Sequence, residues 1–118
     1  MYRVKLSIVL LLLTAFAAAA CFRSGPGRFS VAESKRYEAS LFRQHCAICH
    51  GPEGEGKVLA DGQRVPSLRE GEFKARSADQ IRRQIAEGGN GMVAFRDQLS
   101  HHELELMTNF VFRDLRGQ

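Results

Sequence analysis

The residues of this sequence best suited to chemistry are the two cysteines and the histidine of the run Cys46-Ala47-Ile48-Cys49-His50. Residues three apart on a helix lie on one face, so both thiols point to the same side. Thiols placed in this way can each add across one vinyl group of a porphyrin, and the adjoining imidazole can then reach the iron. The Cys-x-x-Cys-His spacing is the attachment signature of a c-type haem.

A Cys-x-x-Cys pair also occurs in thioredoxin-like redox sites and as half of a zinc site. A structural zinc site needs four ligands, and the sequence has no second Cys-x-x-Cys and no His-x-x-x-His. A thioredoxin-like site follows a strand in a βαβ unit, whereas the residues before Cys46 have a helical pattern. The spacing therefore favours haem over both alternatives.

The length and charge of the chain limit the class of protein. Its 118 residues suffice for one small domain. The chain has 17 Lys and Arg and 13 Asp and Glu, which gives a net charge of +4. The basic residues are spread along the chain rather than clustered, which argues against a nucleic-acid partner.

Residues 1–20 have the features of a signal peptide. Arg3 and Lys5 precede an apolar run that ends in four alanines. The apolar run is about 15 residues, short of the ~20 that a membrane-spanning helix needs.

Cys21 follows the alanines directly, and Ala-Ala-Ala-Cys resembles the lipobox of bacterial lipoproteins, with Ala18 where leucine is usual. We expect Cys21 to be acylated and residues 21–29 to form a short tether, which makes the protein a membrane-anchored lipoprotein of the bacterial periplasm. Ordinary cleavage with an incidental cysteine and an uncleaved anchor are the alternatives.

Three segments are predicted to be helical. Each begins with a serine followed three residues later by Glu or Gln, the pattern of a capping box. The apolar periodicity then predicts a buried stripe on each helix, and no alternating run predicts a strand. The segments are Ser30–Cys49, Ser77–Glu87 and Ser100–Arg116, with Tyr37, Ala39, Leu41, Phe42 and Ile48 on the first stripe, Ile81 and Ile85 on the second, and Leu104, Met107, Phe110, Val111 and Leu115 on the last.

The chain resembles the class I cytochrome c family from about Ser30 to its end. The resemblance is carried by the Cys-x-x-Cys-His motif, by Val65-Pro66-Ser67-Leu68, and by the glycines before Met92. It implies an all-α fold over residues 30–118. About three main helices would wrap around one covalently bound haem c.

The resemblance also implies a helix crossing. An aromatic residue four before the first haem cysteine packs on the C-terminal helix in the family, and Phe42 occupies that position. Phe110 matches its partner. Glu38 stands where the family often has a glycine, so the closeness of this crossing is open.

On the proximal side, the family's proline carbonyl accepts a hydrogen bond from the proximal histidine, and a nearby leucine covers the haem. These roles fall on Pro66 and Leu68, with His50 as the proximal ligand. Such a bond fixes the imidazole tautomer and raises its basicity. A plain loop proline with a core leucine is the alternative.

On the distal side, the resemblance makes Met92 the sixth iron ligand. The other methionines are Met1, in the leader, and Met107, within a predicted helix. The alternatives for Met92 are a loop methionine or a core filler. Val93 replaces the proline usual after this methionine, which predicts a looser loop.

The function implied is one-electron transfer, with no residue acting as acid, base or nucleophile. The expected partners are an oxidase, a reductase or a dehydrogenase. The alternative is a haem subunit of an oxidoreductase complex, or a gas sensor in which Met92 is displaced. The sequence does not indicate the oligomeric state.

Overall fold

The computed structural model describes residues 28–118. The predicted signal peptide, Cys21 and most of the predicted tether lie outside the described residues. Helices dominate the described range, which confirms the expected all-α class. In chain order the elements are α1 (Tyr37–His45), α2 (Ala47–His50), β1 (Lys57–Val58), β2 (Arg64–Val65), α3 (Ala78–Glu87), α4 (His101–Asn109) and a π-helical segment, Phe110–Leu115.

The first helix begins at Tyr37 rather than at Ser30 as the sequence predicted. The chain after Ser30 forms a turn instead. The Glu53 carboxylate accepts hydrogen bonds from the backbone N–H groups of Val31, at 2.8 Å, and Ala32, at 2.9 Å. A side chain from a distant loop therefore satisfies donors that the sequence assigned to a helix terminus.

The predicted helix is also interrupted at Cys46, whose φ of −111° separates α1 from α2. Two members of the predicted stripe are exposed, Tyr37 at 55% and Ile48 at 72%. The prediction was wrong for these two residues. The remaining members of the stripe are buried, as expected: Ala39, Leu41 and Phe42.

The two later helices begin as predicted. Ser77 and Ser100 are the N-caps of α3 and α4, and each forms a complete capping box with the residue three positions on. Helix α3 ends at Glu87 and is capped by Gly88, whose φ of 71° an L side chain rarely adopts. These boundaries depend on local hydrogen bonds, which is why sequence patterns locate them.

Two features of the fold were not predicted. Strands β1 and β2 form a short antiparallel hairpin with Lys57 opposite Val65. The last helix changes to π-helical geometry over Phe110–Leu115. In the part of the chain from residue 28 onward, no helix combines the length and the apolar character needed to cross a membrane.

The core is centred on the crossing of α1 with the last helix. The Phe42 and Phe110 rings lie 5.8 Å apart, which confirms the expected contact. Phe29 lies within the predicted tether, yet its ring packs edge-on against Phe110 at 5.4 Å. The predicted stripe of the last helix is buried throughout: Leu104, Met107, Phe110, Val111 and Leu115.

A partly buried ion pair holds the start of the described chain against the loop after α2. The Arg69 side chain is 2% exposed, and its Nη2 lies 3.0 Å from Glu53 Oε2. The same Nη2 donates to the Phe29 carbonyl at 2.9 Å. Burial opposes ionisation of Glu53, but hydrogen bonds from the backbone of Val31 and Ala32, together with the Arg69 charge, lower the pKa of Glu53. The pair therefore stays charged at neutral pH.

Tyr37 connects α1 to the capping box of α4. Its hydroxyl donates to Glu103 Oε1 at 2.5 Å. This bond, with the backbone and side-chain bonds from Ser100, lowers the pKa of Glu103 to about 2 from its ordinary value of 4.5. A carboxylate with a depressed pKa stabilises the fold above its unfolded pKa, and this contribution is lost as the pH falls toward its folded pKa.

We therefore expect Tyr37→Phe to raise the pKa of Glu103 and to move acid unfolding to higher pH. Urea unfolding at pH 6 and at pH 3 measures the free energy of unfolding at each pH. Between pH 6 and pH 3, this free energy should fall more in the wild type than in a Glu103→Gln control. An unchanged acid midpoint in Tyr37→Phe would show that the hydroxyl does not support this carboxylate.

Candidate functional site

The Cys-x-x-Cys-His motif forms a single tight turn at the end of α1. The N–H groups of Cys49 and His50 both donate to the Cys46 carbonyl, at 3.1 and 2.9 Å. Both cysteines are free thiols. Since they are three residues apart in one helical turn, they lie on the same side of it. The imidazole follows one residue later.

The two thiols differ in environment. Burial, followed by the electrostatic effect of the neighbouring Cys49, raises the pKa of Cys46 to about 12, whereas Cys49 is exposed. A thioredoxin-like pair needs a first cysteine with a lowered pKa, so this environment opposes that alternative. Among residues 28–118, no group of three or more His, Cys, Asp or Glu is placed to hold a metal ion, and the zinc alternative has no support there either.

His50 lies half-buried, and its Nδ1 is buried without a hydrogen-bond partner among the described residues. Burial lowers the pKa of His50, so the ring is neutral at pH 7. A neutral imidazole is the form that binds metals. The ring is therefore prepared to ligate, with one polar atom left unsatisfied.

The expected hydrogen bond from His50 to the Pro66 carbonyl is not formed in this structure. Pro66 nevertheless lies close to the motif. The Gly56 N–H donates to the His50 carbonyl at 2.8 Å, and a Cβ added at Gly56 would meet Val65 O at 2.7 Å and Pro66 C at 2.9 Å. The Pro66 peptide thus packs beside Gly56, near the backbone of the histidine loop, while His50 Nδ1 has no hydrogen-bond partner among the described residues.

Leu68 is half-buried beside the same loop. Its N–H donates to the Gly54 carbonyl at 2.8 Å. A Cβ added at Gly54 would lie 3.5 Å from Phe42 Cζ, 3.2 Å from Leu115 Cδ1 and 3.7 Å from Leu68 Cβ. Leu68 therefore borders the core at the loop that carries the motif.

Met92 follows a two-residue β-turn. Gly89 and Met92 exchange two backbone hydrogen bonds, of 2.8 and 3.1 Å. Between them, Asn90 has a φ of 54° and Gly91 a φ of 84°, the positive pair that a type I′ turn requires. The Asn-Gly dipeptide is a strong local sequence signal for this turn, which was not among the predicted elements.

Gly88 allows this turn to fold back closely. A Cβ there would lie 2.5 Å from Met92 O and 2.7 Å from Val93 C, so a larger residue would displace the turn. Met92 is half-buried against the core, whereas Val93 is 63% exposed. Val93 replaces the family's proline and does not anchor the turn through burial.

The Met92 turn is fixed to the end of α3. The Gln84 side-chain amide donates to the carbonyls of Gly88, at 3.0 Å, and Gly89, at 3.1 Å. Beyond Met92, the Phe95 N–H donates to the Ile85 carbonyl at 3.1 Å. Both sides of the turn are therefore held by one helix.

A ring contact joins the Met92 segment to the cysteine motif. His45, which directly precedes Cys46, packs edge-on against Phe95, with 6.3 Å between the ring centroids. Phe95 is 7% exposed. The segment that carries the thioether and the turn that carries the thiols are thus in contact through their neighbours.

These groups fit a covalently bound haem. Cys46 and Cys49 provide two free thiols one helical turn apart, and His50 provides a neutral imidazole with an unsatisfied buried nitrogen. Ile48, between the cysteines, leaves an apolar side chain 72% exposed. A mostly helical fold around a Cys-x-x-Cys-His turn defines the class: a c-type cytochrome, with covalently bound haem c.

Comparison with known proteins places the chain within this class. A family model described as "Cytochrome C oxidase, cbb3-type, subunit III" matches residues 35–111, and the chain belongs to this family. Cytochrome c6 of Synechococcus sp. is 33% identical over 73 residues, which cover 62% of this chain and 63% of that protein. The chain thus matches less than two thirds of the length of this curated relative.

A solved structure shows the same fold. It is described as "KustC0563 c-type cytochrome", has a TM-score of 0.54 and 31% identity, and the match covers 62% of this chain and 90% of that one. The similarity includes nearly all of the solved domain, which supports a monohaem class I cytochrome c.

Proposed function

We propose that this protein is a one-electron carrier in which Cys46 and Cys49 attach the haem and His50 and Met92 bind its iron. One observation supports this proposal more than any other. The thiol and imidazole turn is in contact, through His45 and Phe95, with the segment that presents the thioether. The segment proposed to supply the imidazole and the segment proposed to supply the thioether are therefore packed against each other.

Haem c, when bound, supplies a metal centre that gains and loses one electron. The chain provides the conditions for this exchange. The two thiols fix the porphyrin, and the neutral His50 ring offers an uncharged nitrogen. The Met92 thioether, as the softer of the two donors, would favour the ferrous state and raise the potential. With His50 and Met92 both holding the iron, the chain would keep water and small gases from it.

Pro66 and Leu68 complete the proximal side in this proposal. The Pro66 peptide lies against the histidine loop at Gly56, within the same segment as its family counterpart. Leu68 closes the apolar edge beside Phe42. We expect the Pro66 carbonyl to accept the His50 Nδ1–H in the haem-bound protein, since this nitrogen is buried and has no partner among the described residues.

A spectroscopic experiment tests the proposal. The ferric protein should show the weak near-infrared band of sulfur–iron ligation, and the reduced protein should not bind carbon monoxide. A ferrous protein that binds carbon monoxide rapidly would instead indicate an open sixth position and a ligand-binding role.

A second candidate is favoured by the family description. It names a subunit of a cbb3-type cytochrome c oxidase, so the protein would serve as a haem subunit of an oxidoreductase complex rather than as a separate carrier. Co-purification of a stoichiometric partner from native membranes would support the subunit, whereas monomeric elution after gentle solubilisation would support the carrier. In either role the redox partners are an oxidase, a reductase or a dehydrogenase.

We also propose that residues 1–20 are a signal peptide and that Cys21 carries the lipid that holds the domain at the periplasmic membrane surface. Dual acylation anchors stably, whereas one chain binds reversibly. We therefore expect Cys21→Ser to move most of the protein from the membrane to the soluble periplasmic fraction, measured by fractionation and haem absorbance. Retention at the membrane would indicate an uncleaved leader instead.

A further inference from the structure

The hairpin of β1 and β2 begins at the cysteine motif. Gly56, the residue before β1, donates its N–H to the His50 carbonyl at 2.8 Å. The Lys57 ammonium donates to the Ile48 carbonyl at 3.1 Å. The base of the hairpin is thus tied to two residues of the thiol and imidazole turn.

The tip of the hairpin is held by its own hydrogen bonds. The Leu59 N–H donates to the Gln63 carbonyl at 2.8 Å, and the Gly62 N–H donates to the Leu59 carbonyl at 2.9 Å. Asp61 Oδ1 accepts from the Gln63 N–H at 2.9 Å. Hydrogen bonds therefore fix both the N–H and the C=O of Gln63. Its side chain extends from a backbone of defined position.

That side chain rests on the Met92 turn. A Cβ added at Gly91 would lie 2.2 Å from Gln63 Nε2 and 3.1 Å from its Cδ. Gly91 has a φ of 84°, which the turn requires. Because glycine has no Cβ, it also leaves room for the Gln63 side chain. The hairpin therefore touches both ligand segments, one at its base and the other at its tip.

We propose that the hairpin Lys57–Val65 is a clasp that holds the Met92 turn in register with the cysteine motif, and that Gln63 is its positioning residue. The contact with Gly91 is one of packing, so the length of the side chain matters more than its polarity. As far as the clasp acts on iron ligation, the inference rests on the proposed function of Met92.

Hydrogen exchange of the full-length holoprotein tests the clasp without reference to the iron. Gln63→Ala removes the atoms that contact Gly91. Each contact between heavy atoms contributes little, but several are lost together. We therefore expect the hydrogen-bonded amides of Gly89 and Met92 to exchange roughly three- to tenfold faster in this variant, with α4 unchanged. Gln63→Met keeps the length of the side chain and should restore the wild-type rates.

Gln44→Ala is the matched control. Gln44, like Gln63, is exposed, and its amide donates to Ser40 on the same helix, at 3.1 Å. This substitution should leave exchange at residues 89–92 unchanged. Equal rates in Gln63→Ala and wild type, or the same acceleration in Gln44→Ala, would overturn the clasp.

Spectroscopy separates this inference from the proposed function. If Met92 binds iron and the clasp holds it, Gln63→Ala should weaken the sulfur–iron band and bind carbon monoxide measurably when reduced, and Gln63→Met should do neither. A wild-type protein without that band would refute the role of Met92, while the exchange rates would still decide whether the hairpin holds the turn.

Discussion

Replacing Met92 by alanine is expected to leave the haem covalently attached and to lower its reduction potential. A thioether stabilises the ferrous state, and axial ligands together set haem potentials over a range of roughly 0.8 V. Since alanine leaves the sixth position to water or to a harder donor, the fall should be a tenth or more of that range. Potentiometric titration of the purified protein measures it.

Met107 offers the matched control for this prediction. It is a second methionine of the described chain and is 1% exposed within the core. Met107→Leu should lower the free energy of unfolding by less than about 1.5 kcal/mol, as volume-conserving swaps in a core usually do. It should leave the reduction potential near that of the wild type. A Met92→Ala protein with an unchanged potential would remove Met92 from the iron.

The second large effect concerns attachment. Cys46→Ala or Cys49→Ala should leave at most one thioether bond, and the double variant should have none. Mass spectrometry of the denatured protein, together with haem staining after denaturing electrophoresis, should show little haem-bearing product for each single variant and none for the double variant. The cause is chemical, because each vinyl group needs its own sulfur.

Ile48→Val is the control for these variants, since Ile48 lies between the cysteines but is 72% exposed. It should mature with a normal haem mass. A double cysteine variant that kept its colour through denaturation and acid–acetone extraction would contradict covalent attachment at this motif.

Local interactions explain the parts of the fold that the sequence predicted well. Ser77 and Ser100 cap α3 and α4 as expected, because the donors and acceptors of a capping box lie within four residues of each other. The buried stripe of the last helix also followed from its period. The start of α1 could not be predicted in this way, because Glu53 binds the N–H groups of Val31 and Ala32 across more than 20 residues.

In the candidate site, too, the features with a local sequence signal could be predicted, and those that depend on tertiary contacts could not. The spacing of Cys46, Cys49 and His50 identified the haem motif without any knowledge of the fold. The Asn90-Gly91 dipeptide contains the local signal for the turn before Met92. The contact of Gln63 with Gly91 has no such signal, because it joins two loops that only the tertiary structure brings together.

The position of Phe29 and its carbonyl has a practical consequence for the choice of a shortened version of this domain. Cutting the gene so that translation starts at residue 30 would uncover one face of Phe110 and would take an acceptor away from the buried Arg69 guanidinium. Starting at or before Arg28, which pairs with Glu70 at 2.8 Å, would preserve both contacts.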